Sequence, residues 1–522
     1  MLNELKNFGQ LLRNTAQRLP DKLALVCNDK RYTYGRLEEE SNRIASALKA
    51  RGVKPGDKVA LLTPNSADFM AVVFGAAKLG AITVKLNWRL APKELRYLLD
   101  FNDVSVLFYR YNNKKWHAEL NDMISHMDIL YISLDKTPTC KLSYEDLLEE
   151  GEPEFRIDFQ DADAPLMHLH TSGASGKPKT VVYSHKRFLA ELDSCIDGLG
   201  FTEDLVFLSM SQMFHSASSG LYSCFAVGAT AVVFSRFDPQ KYLETVEAEH
   251  INRVSAIPTV LQSLLEQPNL DTFDLSSVHT IGYSAAPMSP ALIDRAIKCL
   301  HCGFMQSYGM TEMASIVTIL QPEDHLRDNY KHLYSVGKPI KGVSIKIVGP
   351  DYQELPNGSV GRIALKGPGM MLGYYKQPEK TAEVIHDGWY LSDDLGWLDD
   401  EGFLTLSGRV SDLIITGGEN VFAQEVENLL STVDSIEECC VFGSPDDYWG
   451  EMVSACVVPK PGYKLTADGL RSFCKEHIAG YKVPKKIFIT SELPRNAVGK
   501  IDKPEVIKRY AHLKEGDILE ER

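Results

Sequence analysis

The sequence predicts an α/β protein: a large N-terminal domain of stacked mixed α/β sheets, then a β region, then a small C-terminal α+β domain. Three observations carry this. Helical and strand patterns alternate through the first half of the chain, as they do where helices cover largely parallel sheets. Short strands divided by Gly, Pro and Asp turns follow after residue 335. Mixed patterns return from Asp412 to the end, which is room for a small separate domain.

The elements follow in order. The first residues, MLNELKNFGQLLRNTAQRLPDK, read as a short amphipathic helix without the continuous apolar core of a signal peptide. Tyr34, Leu37, Ser41, Ile44, Ala45 and Leu48 recur at helical spacing, and Gly52 stops the run. Pro55-Gly56-Asp57 turns the chain into a strand over Lys58 to Leu62. Thr63 to Ser66 start a helix with Phe69, Val72, Val73 and Ala76 on one face; Gly80 ends it and Ala81 to Leu86 form the next strand. The same alternation returns between 226 and 262. Val343 to Val348, Val360 to Lys366 and Gly402 to Ser407 are the short strands of the β region.

Composition narrows the function. Of 522 residues, 44% are hydrophobic and 24% charged, which excludes a mainly disordered or fibrous chain. A net charge of −14 argues against a general binder of nucleic acid or anionic membrane, while leaving room for a local basic pocket. The longest apolar run, Phe69 to Val84, contains Lys78 and falls short of the ~20 residues that span a bilayer. A cytoplasmic location is the expectation. The 10 cysteines are scattered and read as free thiols. Cys299 and Cys302 have metal-ligand spacing, but no second pair follows. His168 and His170 share one strand face, where burial explains them better than ligation.

Five segments carry chemistry. Thr171-Ser-Gly-Ala-Ser-Gly-Lys-Pro-Lys179 follows the apolar run Pro165 to Leu169. Its hydroxyls, glycines and lysines suit a loop wrapped around phosphate oxygens. It is not a Walker A loop, because Thr171 and Pro178 occupy the places of an obligatory glycine and a hydroxyl residue. Gln306-Ser-Tyr-Gly-Met-Thr-Glu312 offers a ring for stacking, a hydroxyl for phosphate and a carboxylate for Mg²⁺. Trp389-Tyr-Leu-Ser-Asp-Asp-Leu-Gly396 places an aspartate, expected at a strand end, for the two hydroxyls of a ribose. Gly408-Arg-Val-Ser-Asp-Leu-Ile-Ile-Thr-Gly-Gly-Glu-Asn-Val421 is a glycine-rich bend, and Pro494-Arg-Asn-Ala-Val-Gly-Lys-Ile501 an exposed hairpin presenting Lys500. Singly, each also fits ordinary turns and solvated charges.

In this order and spacing the five resemble the adenylate-forming superfamily of acyl- and aryl-CoA synthetases, luciferase and peptide synthetase adenylation domains. The resemblance spans nearly the whole chain. It implies an acid- and ATP-binding domain over 1–410 and a mobile lid domain over 411–522, with the hinge near Ser411. It implies ATP, Mg²⁺ and coenzyme A as the molecules used. Thr171, Ser172, Gly173, Ser175, Gly176 and Lys179 match the loop on the ATP β- and γ-phosphates. Ser307, Tyr308 and Gly309 match the adenine side, Tyr308 by stacking, with Ala285, Ala286 and Pro287 opposite. Thr311 matches a phosphate contact and Glu312 the Mg²⁺ ligand. Asp394 and Arg409 match the ribose contacts. Lys500 matches the lysine that bridges the attacking carboxylate and the α-phosphate; with Glu312, Thr171, Arg409 and His215 it forms the expected catalytic set.

For the acceptor, Gly417, Gly418 and Glu419 match the segment beside a pantetheine tunnel. Trp449, Tyr481 and Lys482 resemble positions near the CoA nucleotide. For the acid, Phe214, His215, Tyr283, Ala285, Met305 and Gly309 suggest an apolar or aromatic pocket. His215 stands where amino-acid-activating relatives carry an aspartate, which disfavours an amino acid. Ala285, in place of a frequent glycine, favours a short, medium or aryl acid. Departures from the family pattern are Ala174, Thr180, Asp393, Ser411 and Ala423. The expected reaction is acid activation through an acyl-adenylate and transfer to the CoA thiol. Transfer to a carrier-protein thiol or an amine stays open, as do an inactive ligand-binding homologue and a homodimer. The expected partners are small molecules, not nucleic acid, with no membrane span.

Overall fold

The computed structural model describes residues 2–28, 30–110, 118–119, 122, 126–136, 141–171, 178–256, 258–284, 288, 290–326, 331–496 and 500–515. Two compact units emerge: Met1–Ile345 with Leu365–Tyr390, and Lys346–Ala364 with Leu391–Arg522.

The first unit contains two sheets. One has seven strands in the order Gly373–Tyr374, Lys179–Ser184, Pro165–Thr171, Ile82–Lys85, Lys58–Leu62, Val104–Tyr109 and Leu130–Ser133. From Pro165–Thr171 onward its neighbours run parallel. The other has nine strands, with Gly303–Tyr308, Thr280–Ser284, Arg253–Ser255 and Val206–Ser209 as parallel neighbours. In such sheets ligands gather beyond the carboxyl ends of the strands. Thr171 and Tyr308 are the last residues of their strands.

Why these elements form is readable locally. The strand expected over Lys58 to Leu62 forms there, and the helix expected from Tyr34 runs Tyr34–Ala50, capped by Thr33 Oγ1 accepting from Arg36 N. The helix Ala67–Leu79 is buried along its whole length, as a helix apolar all round must be. Gly80, at φ +82°, gives it a left-handed end that costs glycine no strain. Phe8, Phe74, Phe188, Tyr222 and Phe225 pack there, mostly edge to face with ring centroids 5.2–6.1 Å apart. Aromatic pairs gain from this geometry beyond the area that they bury.

The second unit contains a C-terminal sheet of Glu419–Phe422, Leu413–Thr416, Gly450–Pro459, Ile436–Asp446 and Lys486–Ile489. Side chains alternate across it. Val441, Val453 and Ala455 enter one core, and Cys440, Phe442 and Cys456 the other. Both cores draw only on residues from Ile414 onward. A sheet with a core on each face can hold together by its own burial. The compact unit also takes in Lys346–Ala364 and the strand Leu404–Arg409, which the sequence reading assigned to the domain before Ser411.

Candidate active site

In the first unit, Thr171 and Lys179 face each other as register partners across an antiparallel pair. They flank the segment expected to hold phosphates; Ser172, Gly173, Ser175 and Gly176 themselves lie outside the described residues. The strand leading in is fixed by an amide between two histidines. His168 Nδ1 meets Asn102 Oδ1 at 2.9 Å, Asn102 Nδ2 meets His170 Nε2 at 3.1 Å, and His170 Nδ1 meets the Lys85 carbonyl at 3.0 Å. Burial pushes the two imidazoles down to about 3 and about 4, so both are neutral at pH 7. They act as structural pins behind the loop.

The strand Gly303–Tyr308 delivers Ser307 and Tyr308 to its end, and a short turn, Thr311–Met313, presents Glu312. The chain doubles back so tightly that a Cβ on Gly309 would sit 1.6 Å from the Ser315 carbonyl oxygen. Gly309 is therefore needed for the turn itself, a role the pocket expectation did not include. Ala314 takes a left-handed φ of 66°, a conformation that stores strain in a non-glycine residue. Glu312 is 9% exposed. Its Oε1 accepts from Tyr374 Oη at 2.8 Å, and its carbonyl from Met371 N at 2.8 Å.

Beneath the turn, Glu191 Oε1 accepts from Ile316 N at 3.3 Å. Burial pushes this carboxyl up to about 8, so it is mostly protonated at neutral pH. Sequence reasoning missed both Glu191 and Tyr374. The signal for Glu191 was a carboxylate amid the buried positions Phe188, Leu192 and Cys195 of an amphipathic helix. Tyr374 sits in a two-residue strand that carries no periodic signal.

The expected acid-pocket residues separate. Gly282 and Met305 are register partners, and so are Tyr283 and Gln306. Successive strand residues point to opposite faces. Tyr283 therefore turns away from Met305 into the core, where its hydroxyl meets His325 Nε2 at 3.0 Å and Gln306 Oε1 at 3.4 Å. The open position beside Met305 is Gly282, where an added Cβ would meet only the Val254 carbonyl, at 3.7 Å. The Phe214 and His215 rings lie 4.3 Å apart, and the His215 carbonyl accepts from Ser218 Oγ at 2.7 Å. Ala285, Ala286 and Pro287 lie outside the described residues.

In the second unit, Asp394 and Arg409 are register partners, with Arg409 Nε 3.4 Å from Asp394 Oδ1. Asp394 stands within the strand Trp389–Leu398, not at its end. An irregularity between Leu395 and Gly396 directly follows it, and bulges of this kind re-aim side chains. Lys500 closes a hairpin: Arg495 bridges Ile501, and Asn496 N donates to the Lys500 carbonyl at 2.8 Å. Lys500 is exposed, yet desolvation of its ammonium, then the nearby Arg409, pushes its pKa below the ordinary lysine value, against the pull of Asp394. Thus Asp394, Arg409 and Lys500, distant in sequence, share one electrostatic neighbourhood. Ser411 Oγ donates to Asp393 Oδ2 at 2.7 Å, which pairs two of the departures from the family pattern.

The Trp449 indole lies over Gly417, where a Cβ would come within 2.6 Å of the ring, and Gly417 N donates to the Trp449 carbonyl at 2.8 Å. Glu419 follows as the register partner of Thr416, just past Gly418. Lys482 Nζ already holds both Glu425 carboxylate oxygens, at 2.6 and 2.8 Å. Tyr481 is partly exposed beside it.

The residues fit a nucleotide with its cation. Among the described residues, no group of three or more His, Cys, Asp or Glu could hold a metal by itself. A single carboxylate completed by substrate phosphates is the usual way Mg²⁺ is taken, and Glu312 beside the phosphate-loop strand offers that. No helix among the described residues is long and apolar enough to cross a membrane.

Comparison with known proteins identifies the family. Residues 12–375 match the model of the AMP-binding enzyme family, and residues 425–500 that of the AMP-binding enzyme C-terminal domain. A feruloyl-CoA synthase of Amycolatopsis sp is 34% identical over 92% of this chain and 94% of its own. The fatty acid–[acyl-carrier-protein] ligase ScoC of Streptomyces coeruleorubidus is 30% identical over 97% of both. The o-succinylbenzoate CoA synthetase MenE of Bacillus subtilis, solved with its acyl-adenylate intermediate, superposes with a TM-score of 0.85 at 30% identity, over 97% of this chain and 99% of that one. The same enzyme has been solved with ATP and a magnesium ion. The chain therefore belongs to the AMP-binding enzyme family of adenylate-forming ligases, whose acyl- and aryl-CoA ligase members use ATP, Mg²⁺ and coenzyme A.

Proposed function

We propose that the chain joins a carboxylic acid to the thiol of coenzyme A, with ATP converted to AMP and pyrophosphate. The observation that carries this reading is the convergence of Asp394, Arg409 and Lys500 in one unit, with Thr171, Lys179 and Glu312 held together in the other.

A carboxylate is a poor acylating agent, because oxide is a hopeless leaving group. Attack of its oxygen on the α-phosphorus of ATP expels pyrophosphate and leaves an acyl-adenylate, from which AMP departs readily. The bound Mg²⁺ would offset phosphate charge, with Glu312 as its protein ligand. Thr171 and Lys179 hold the β- and γ-phosphates, Tyr308 stacks on the adenine, and Thr311 contacts phosphate. Asp394 and Arg409 take the ribose. Lys500 brings the two anions together and stabilises charge as it develops. In the second step the CoA thiol loses its proton to solvent, its sulfur bonds to the acyl carbon, and the acyl carbon–oxygen bond breaks as AMP leaves with that oxygen.

The C-terminal segment 411–522 acts as the lid, with Ser411 as hinge; a lid that moves between steps withdraws Lys500 after adenylation. Trp449 over Gly417 forms the acceptor side. The acid is apolar or aromatic and of limited length, lying against Phe214, His215, Gly282 and Met305. A carrier-protein thiol is the second reading. It is favoured by the prior engagement of Lys482 with Glu425, which leaves that lysine less available to CoA phosphates, and by the carrier-protein ligase among the relatives. Pyrophosphate release with a panel of carboxylic acids, with and without CoA, tests both. Acid-dependent release with a thioester supports CoA transfer; release with stable acyl-AMP favours the carrier protein; no release with any acid rejects catalysis.

A further inference from the structure

Tyr374 has no role in the reading above, yet it touches two of its main residues. Its strand, Gly373–Tyr374, pairs antiparallel with the strand leaving the phosphate loop, Tyr374 opposite Val181. Its hydroxyl donates to Glu312 Oε1 at 2.8 Å. Its ring lies under the Lys179 ammonium, with Nζ 4.9 Å from the centroid. The side chain is 5% exposed, so both contacts are made inside the protein.

The surrounding chain holds this contact in place. Met371 N donates to the Glu312 carbonyl at 2.8 Å, Arg187 Nη1 donates to the carbonyls of Met370 and Met371 at 2.6 Å each, and Tyr374 N donates to Thr381 Oγ1 at 2.9 Å. Segment 370–374 therefore grips Glu312 through its main chain and through its carboxylate. A phenol on one carboxylate oxygen fixes the rotation of the carboxylate and hence the direction of the other oxygen. An aromatic face beneath an ammonium restrains its position by attraction to the ring quadrupole and leaves its N–H groups for phosphate oxygens.

We propose that Tyr374 is a positioning residue that sets the Glu312 carboxylate and the Lys179 ammonium in one frame, so that magnesium and the triphosphate bind as a coupled pair. This rests on the roles given above to Glu312 and Lys179. Tyr374 acts through those residues and does not touch the substrate.

The test is ATP binding by calorimetry, in Mg²⁺ and in EDTA, for the wild type, Tyr374→Phe, Tyr374→Leu, Glu312→Gln and Lys179→Ala, with melting temperatures for each. Tyr374→Phe keeps the ring and removes only the hydroxyl. It should lower the gain in ATP affinity brought by Mg²⁺ about 10-fold, as expected for one hydrogen bond to a charged group, with affinity in EDTA unchanged. Tyr374→Leu should also weaken binding in EDTA, by about 2–5-fold. Adding Tyr374→Phe to Glu312→Gln should cost nothing further. A role confined to packing would lower the melting temperature and leave the magnesium gain intact. That result in Tyr374→Phe, with the gain lost in Glu312→Gln, overturns this proposal alone. A full magnesium gain in Glu312→Gln overturns the metal assignment and this proposal with it.

Discussion

The two units present their chemical groups in opposite ways. In the first, Glu312 is 9% exposed and gripped through carboxylate and carbonyl, and the strand ending at Thr171 is pinned by two neutral histidines, His168 buried and His170 half-buried. In the second, Arg409 has a side chain 61% exposed and a single long contact to Asp394, and Lys500 stands on an exposed hairpin. The groups of the first unit are preorganised by burial, and the price is a set of neutralised ionisable side chains. In the second unit the Asp394, Arg409 and Lys500 side chains are linked by charge rather than by burial. The difference fits the proposed lid, which would withdraw Lys500 after adenylation.

The predictions probe that contrast, beginning with the largest effect. Glu312→Gln should slow acyl-adenylate formation by about 10²–10³-fold, the scale of losing one electrostatic contact in a closed site, and raise the Mg²⁺ requirement; a magnesium titration of pyrophosphate release measures it. A rate within a few-fold of wild type would mean that the buried carboxylate is only structural. Lys500 comes next. Its lowered pKa means that the ammonium is lost on raising pH before an ordinary lysine would lose it. The adenylation rate should therefore fall on the alkaline side below pH 10.5, and Lys500→Arg should shift that limb upward, since guanidinium stays charged. An alkaline limb unmoved by Lys500→Arg would contradict the assignment.

A smaller effect is expected at Gly282. Gly282→Ala should disfavour bulky acids about 10-fold relative to small ones, the worth of one methyl-sized change. An unchanged ranking across an acid series, in a protein that folds normally, would remove the residue from the pocket. The smallest effect is on stability in acid. His168, His170 and His185, the last a buried residue opening the helix His185–Leu199 whose Nδ1 accepts from Phe8 N at 2.9 Å, are lowered from 6.5 to about 3, 4 and 4, chiefly by burial. Below pH 6.5 the unfolded chain takes up protons that the folded chain refuses, so stability is fully present above that pH and declines as pH falls toward 4. The urea midpoint followed between pH 7 and 4.5 should drop, less steeply in His185→Gln; a flat profile would show that the pins are not buried as described.

Much of this was legible in the sequence, for reasons that also explain the rest. Tyr34–Ala50 and Lys58–Leu62 follow from period and turn chemistry, which are local. The order of the five motifs gave the family, because each motif is contiguous. What local patterns do not contain is strand register. The face that Tyr283 takes is decided by pairing with Gln306, so this residue, expected in the pocket, is in the core, and Gly282 is the open position beside Met305. Asp394 was expected at a strand end, where it could accept both hydroxyls of a ribose, but the strand runs on to Leu398. Gly309 was expected to face a ligand; its close contact comes from Ser315, six residues away and visible only once the chain has folded back. Tyr374 was invisible for the same reason, being sixty-two residues from Glu312.

The most direct test of the account is single-turnover kinetics of Lys500→Ala in each half-reaction. If the exposed lysine serves only the joining of acid and ATP, acyl-adenylate formation should fall by about 10²–10³-fold. Supplied acyl-adenylate should still react with CoA at nearly the wild-type rate. An equal loss in both steps, or none in the first, would contradict it.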